Sequence, residues 1–174
     1  LENMELKEAI LARKSIRNFL DQPVDESHIR AILELAVRAP SGGNAQPWII
    51  HVIRDAKVRQ KLVKVAHGQD FVGQAPVDLV ICIDRQRTLA TYGERGLELY
   101  SIQDTAALIE LILLLAVDLG LGTCWVGAFD ESACSKTLSL SDNERPIAII
   151  PLGYPAKDPS PRPRRPLEEV VFWD

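Results

Sequence analysis

Val77-Asp78-Leu79-Val80-Ile81-Cys82-Ile83 is a β-rich run, nearly continuous in apolar character. A strand of that composition is covered on both faces, so residues 77–83 predict a central strand. Ala75-Pro76 punctuates the chain just before it. Upstream, 48–54 reads as another strand. Between the two, Val58, Leu62, Val65 and Ala66 fall at helical spacing and Gly68 closes that helix. Downstream, 101–119 predicts a helix apolar on most sides, interrupted by Gln103, Asp104, Glu110 and Asp118. Such a helix belongs in a core or an interface. Gly120 and Gly122 end it, and 123–126 makes a short strand. Asp130 then caps a helix through Leu138, and 147–152 forms the next strand.

Nearer the N-terminus, Asn3 is placed to cap a helix with Glu5 in its first turn and Leu6, Ala9, Ile10 and Arg13 on one side. Asp25 caps another, with Ile29, Ile32, Leu33 and Ala36 at helical spacing, and this helix must stop before Pro40. Segment 85–100 shows no readable period. Helices and strands mix without regular βαβ alternation. The fold class is therefore α+β, with a central, mostly antiparallel or mixed sheet flanked by helices. No Gly-x-Gly-x-x-Gly follows a strand, which removes the usual support for a Rossmann fold. Prolines at 155, 159, 161, 163 and 166 forbid helix and favour an extended C-terminal arm over 155–174. The arm ends in Val170-Val171-Phe172-Trp173, bulky groups that are costly to leave in water.

A chain of 174 residues suits one domain spanning 1–174. Apolar residues at 47% and charged residues at 25% are ordinary for a soluble globular protein. A net charge of −4 argues against a general nucleic-acid binder, whose footprint is basic. The longest apolar run, 111–117, is far short of the ~20 residues of a membrane span. Cys82, Cys124 and Cys134 show no Cys-x-x-Cys spacing, which favours a reduced, cytoplasmic setting. His28, His51 and His67 lack zinc-like spacing, so no metal is expected.

Two stretches carry chemistry. Arg13-Lys14-Ser15-Ile16-Arg17-Asn18-Phe19 sets three cations and a hydroxyl at a helix end, offering charge-assisted donors to a phosphate or another anion. A structural reading also exists, because cations complement the exposed carbonyls of a helix C-terminus. Ala39-Pro40-Ser41-Gly42-Gly43-Asn44-Ala45-Gln46-Pro47-Trp48 follows a helix stop with small and amide residues. Its backbone can approach a ligand closely and its amides can donate and accept. Turn chemistry accounts for Pro40 to Asn44 but not for Gln46-Pro47-Trp48. Together the stretches fit a cofactor that is anionic at one end and a polar heterocycle at the other. No nucleophile–base–orienter arrangement is visible, so no catalytic side chain is assigned.

Arg-Lys-Ser-Ile-Arg-x-Phe at 13–19, followed by Pro-Ser-x-x-Asn-x-Gln-Pro-Trp at 40–48, resembles the opening of the FMN-dependent nitroreductases. Gly120-Leu121-Gly122-Thr123-Cys124-Trp125-Val126-Gly127-Ala128-Phe129 and Pro151-Leu152-Gly153-Tyr154-Pro155 resemble that family's later signatures, in the same order. The resemblance implies the nitroreductase fold and a homodimer with arms exchanged and two shared FMN sites. It implies that Arg13, Lys14, Ser15 and Arg17 bind FMN, with Arg13 and Ser15 near the phosphate and ribityl chain and Arg17 near the N1 and O2 edge of the flavin. Pro40, Ser41, Asn44 and Gln46 would reach a flavin held mainly by the other subunit. The backbone of Val126 and Gly127 would face N5, although some relatives carry an acidic residue where this chain has Val126. Arg162 and Arg164 would close over the phosphate, with the register among Arg162, Arg164 and Arg165 open. His67, Gln69 and Phe71 lie where relatives place further flavin contacts. The implied activity passes hydride from NADH or NADPH through the flavin to a small electrophile such as a nitroaromatic or quinone. Reductive dehalogenation, flavin consumption and non-catalytic flavin binding are the alternatives the scaffold allows.

Overall fold

The computed structural model describes residues 4–174. The expected cap at Asn3 lies outside them. Within them Glu5 is the N-cap of α1 (Leu6–Ala12): its carboxylate accepts from the Glu8 backbone while that of Glu8 accepts from the Glu5 N–H. The apolar stripe of α1 does not face the core, because only Ala9 is buried while Leu6, Ile10 and Leu11 are exposed. α2 (Glu26–Ala36) starts after Asp25 and stops before Pro40, as the sequence demands. Then come β1 (Trp48–Ile53), α3 (Ala56–Val65), the short α4 (Phe71–Gln74) and β2 (Val77–Asp84). α5 (Arg85–Arg95) runs through a π-helical stretch, Gly96–Tyr100, into α6 (Ser101–Asp118). β3 (Gly122–Thr123), α7 (Glu131–Leu138) and β4 (Glu144–Gly153) complete the body.

The four strands pair in the order β1-β2-β4-β3, antiparallel throughout. β2 is internal, and Val77 to Ile83 are all buried. The period of two divides this sheet into two packed faces. Val77, Leu79, Ile81, Ala148, Ile150 and Leu152 meet α2 and α6. Val80, Cys82 and Ile149 meet α3, α4 and α7. Pro146, which has no N–H to give, sits where the register shifts between Ile81 and Cys82. The helical run from Arg85 to Asp118 is long and apolar enough to cross a membrane by length and composition. Packing accounts for that composition, since Leu108, Ile109, Ile112, Leu113 and Ala116 lie in the core.

Three local expectations are corrected. The strand predicted over 123–126 is confined to Gly122–Thr123, and Val126 pairs alone with Ile149. Gly120, at φ 71°, ends α6, whereas Gly122 is required by packing: a Cβ there would lie 2.5 Å from Ile16 Cγ1. The arm is extended but for one 3-10 turn, Leu167–Glu169, that the prolines leave room for.

Candidate functional site

The strand end fixes the cationic stretch. Ile16 N–H donates to the Thr123 carbonyl at 2.8 Å and Leu20 N–H to that of Tyr154 at 2.9 Å. Ala156 N–H returns to the Asn18 carbonyl at 2.9 Å, so the start of the arm is tied to residues 18–20. Farther along, Lys14 Nζ meets both oxygens of Asp158 at 2.8 and 2.9 Å. The arm is thereby laid back across the end of α1. Between them is a cavity of about 990 Å³ lined by Arg13, Lys14, Ser15, Arg17, Arg162 and Arg164 together with Ile10, Leu11 and the arm residues 159–161 and 163. Among the described residues, five cations and no carboxylate line it, in a chain of net charge −4. Concentrated positive charge of this kind focuses the field onto an anion. Arg165 turns away and pairs with Glu169 at 3.1 Å.

Arg17 lies over the Phe71 ring at 5.9 Å, a cation–π contact that sets the guanidinium in place. Arg13 approaches Glu110 at 3.9 Å. Gln69 Nε2 donates to the Ala128 carbonyl at 3.0 Å, holding the loop next to Gly127. His67 takes a left-handed φ of 55°. Val126 exchanges both backbone hydrogen bonds with Ile149, at 2.9 and 3.0 Å, so its N–H is already committed. Gly127 has no such tie, and nothing lies within 4 Å of the Cβ it lacks. Packing within the described residues therefore does not require glycine there; close approach by another molecule would.

Loop 40–46 does not line this cavity. Gly42 N–H donates to Asp104 Oδ1 at 3.0 Å, Gln46 N–H to Ser41 Oγ at 2.9 Å, and Arg87 Nε to the Ala45 carbonyl at 2.8 Å. Gln46 Nε2 donates to the Asn44 carbonyl at 3.1 Å. Asn44 at φ 57° and Gln46 at φ 52° are both left-handed, a strain that side chains other than glycine rarely carry and that concentrates at functional sites. Tyr92 packs against Gly42 and Gly43, where a Cβ would come within 3.1 Å of the ring and 2.7 Å of the hydroxyl. Segment 85–100, which shows no readable period in the sequence, and Asp104 in the first turn of α6 support this loop.

Cys82, Cys124 and Cys134 are free and buried. Burial pushes the Cys82 and Cys134 thiols up to about 12. It also raises Cys124, against the pull of Arg17 and Ser15 beside it. None offers an activated nucleophile.

A sequence model of the Nitroreductase family matches residues 10–69 and 64–154. The chain is 34% identical to a protein of Thermus thermophilus named NADH dehydrogenase, over 98% of this chain and 96% of that protein. It is 34% identical to the oxygen-insensitive NADPH nitroreductase of Salmonella typhimurium, over 94% of this chain and 71% of that protein. The solved structure of the NADPH:FMN oxidoreductase of Vibrio harveyi complexed with NAD+ superposes with a TM-score of 0.89 at 28% identity, covering 97% of this chain and 76% of that one. The match takes in the cationic stretch, the strained loop and the strand end that this fold arranges around the sheet, and the chain belongs to the Nitroreductase family.

Proposed function

We propose that this chain is an NAD(P)H-dependent FMN oxidoreductase working as a homodimer, with a nitroaromatic, a quinone or a similar small electrophile as acceptor. The observation that carries the reading is the cavity formed by the end of α1 and the arm, lined among the described residues by five cations and no carboxylate. Its donors suit a phosphate: Arg13, Lys14, Arg162 and Arg164 supply charge-assisted hydrogen bonds, and Ser15 adds a hydroxyl. Arg17, steadied on Phe71, would hold positive charge at the ring edge. The Gly127 backbone leaves open space for a flat ring to approach. When bound, FMN supplies two-electron chemistry between a reduced nicotinamide and an oxidant. The protein orients and polarises, and no side chain needs to act as nucleophile.

Loop 40–46 stands apart from the cavity of its own chain, which fits its delivery to the partner's site. Exposed Leu6, Ile10 and Leu11 on α1 and Phe172 and Trp173 on the arm give a dimer apolar surface to bury. β1 is a sheet edge against which an extended arm can pair. Three free thiols fit a reducing, cytoplasmic setting. Residues 1–174 then act as one FMN-binding domain with 155–174 as its arm. Native mass spectrometry tests the assembly: the expected species is a dimer with two FMN, and deletion of 167–174 releases FMN and loosens the dimer together. A monomer that binds FMN refutes the shared site.

A further inference from the structure

We infer that a metal site lies on the sheet face covered by α3, α4 and α7, where His51, Cys82 and Glu144 hold a divalent ion of the zinc class. One ligand comes from each of three neighbouring strands: His51 from β1, Cys82 from β2 and Glu144 from β4. Their ligand atoms all lie within 4.8 Å of one another, and His51 Nε2 is 2.6 Å from Glu144 Oε1. Tetrahedral zinc with bonds of ~2.0–2.3 Å separates its ligand atoms by roughly 3.5 Å, so binding asks only small side-chain shifts. A nitrogen, a thiolate and a carboxylate are the donors zinc takes, and the two anions balance its charge.

The surroundings supply what a metal site needs beyond its ligands. Ser141 donates to Glu144 Oε2 twice, from its N–H at 3.1 Å and its hydroxyl at 2.8 Å. That fixes the carboxylate and leaves Oε1 for the ion. Cys82 is fully buried, while the His51 side chain is 32% exposed, so the site is anchored inside and open to water for a fourth ligand. On binding, the ion replaces the Cys82 thiol proton, which leaves to solvent, and breaks the His51 Nε2–Glu144 Oε1 hydrogen bond; neutral His51 then carries its single ring proton on Nδ1, leaving Nε2 for the ion. None of the three residues lines the cationic cavity, so the proposal stands independently of the flavin. The expectation of no metal rests on the lack of short ligand spacing, which a site built across three strands does not use.

The test loads the purified full chain with zinc after chelator treatment, then measures metal content and zinc K-edge absorption. The expected result is about one zinc per chain with one sulfur at ~2.3 Å and nitrogen or oxygen at ~2.0–2.2 Å. Cys82→Ser should remove the sulfur shell. His51→Gln should weaken zinc binding by more than about tenfold and Ser141→Ala by about tenfold. Flavin content should not change in any of them. Wild type that retains no zinc, zinc without sulfur, or a sulfur shell that survives Cys82→Ser overturns the assignment. Cys82 is a core residue, so His51→Gln gives an independent readout on a partly exposed side chain. Unchanged zinc affinity in folded His51→Gln also overturns it.

Discussion

Lys14 Nζ sits 2.8 Å from Asp158 Oδ1 and 2.9 Å from Oδ2, joining the end of the first helix to the C-terminal arm. The Asp158 side chain is 80% exposed, so solvent screens the pair and its worth to stability is below about 1 kcal/mol. Asp158→Asn should therefore leave the melting temperature almost unchanged. Its effect should appear in the arm, as faster limited proteolysis within 157–166. A large fall in melting temperature would show that the pair does more than hold the arm.

Arg13 and Arg17 line one cavity but should fail differently. With Arg13 on the phosphate side, as proposed, Arg13→Ala should weaken FMN retention by about 1.5–3 kcal/mol, measured by equilibrium dialysis. With Arg17 at the ring edge, as proposed, Arg17→Ala should keep much of the FMN and lower its reduction potential, because that site would lose the cation favouring the reduced, anionic ring. Equal potentials for wild type and Arg17→Ala would remove Arg17 from the ring side.

Asp78 is fully buried in β2, and neither carboxylate oxygen is hydrogen bonded among the described residues. Burial holds its carboxyl well above the ordinary range, against the weaker pull of Arg59. Arg59 spends its hydrogen bonds on the Gly73 and Ala75 carbonyls instead. The folded state thus keeps a proton that the unfolded chain gives up at its ordinary pKa of about 4. Stability contributed by this group is full below that pH and falls as pH rises toward the folded value. Asp78→Asn should remove that fall, raising the melting temperature near about pH 8 relative to wild type and narrowing the gap near about pH 4. Parallel wild-type and variant curves across that range would contradict it.

Gly122 is packed so tightly that a Cβ would meet Ile16 Cγ1 at 2.5 Å and Pro155 Cγ at 3.0 Å. Gly122→Ala should cost about 1–3 kcal/mol through overpacking. Because Ile16 N–H is bonded to Thr123, the same change should disturb Ser15 and lower FMN affinity. Denaturant melts and FMN titration read the two effects separately. Gly127→Ala, with open space at its Cβ, should leave stability intact and act on cofactor binding alone.

What the sequence shows of this fold follows from where packing is one-sided or complete. The central strand was legible at 77–83 because both its faces are covered, and α6 because its apolar excess is real. Segment 85–100 was not legible, because Gly93 at φ 57° and ψ −150° breaks α5 and a π-helical stretch follows, so no 3.6-residue period survives. The stripe on α1 is legible in the sequence but its direction is not: Leu6 and Ile10 point away from the core. At the site, the cationic stretch could be read because its charges are adjacent in sequence. That Arg162 and Arg164 face the cavity while Arg165 pairs with Glu169 depends on how the arm lies, which spacing does not encode. Asp104, Arg87 and Tyr92, which hold the strained loop, were missed for the same reason.

The most direct test of the account is anaerobic mixing of the FMN-loaded protein with NADH and, separately, NADPH in a stopped-flow spectrometer. The account predicts that at least one nicotinamide bleaches the oxidised flavin absorbance in a single turnover, and that a quinone or nitroaromatic restores it. Tightly bound FMN that neither NADH nor NADPH bleaches would contradict it.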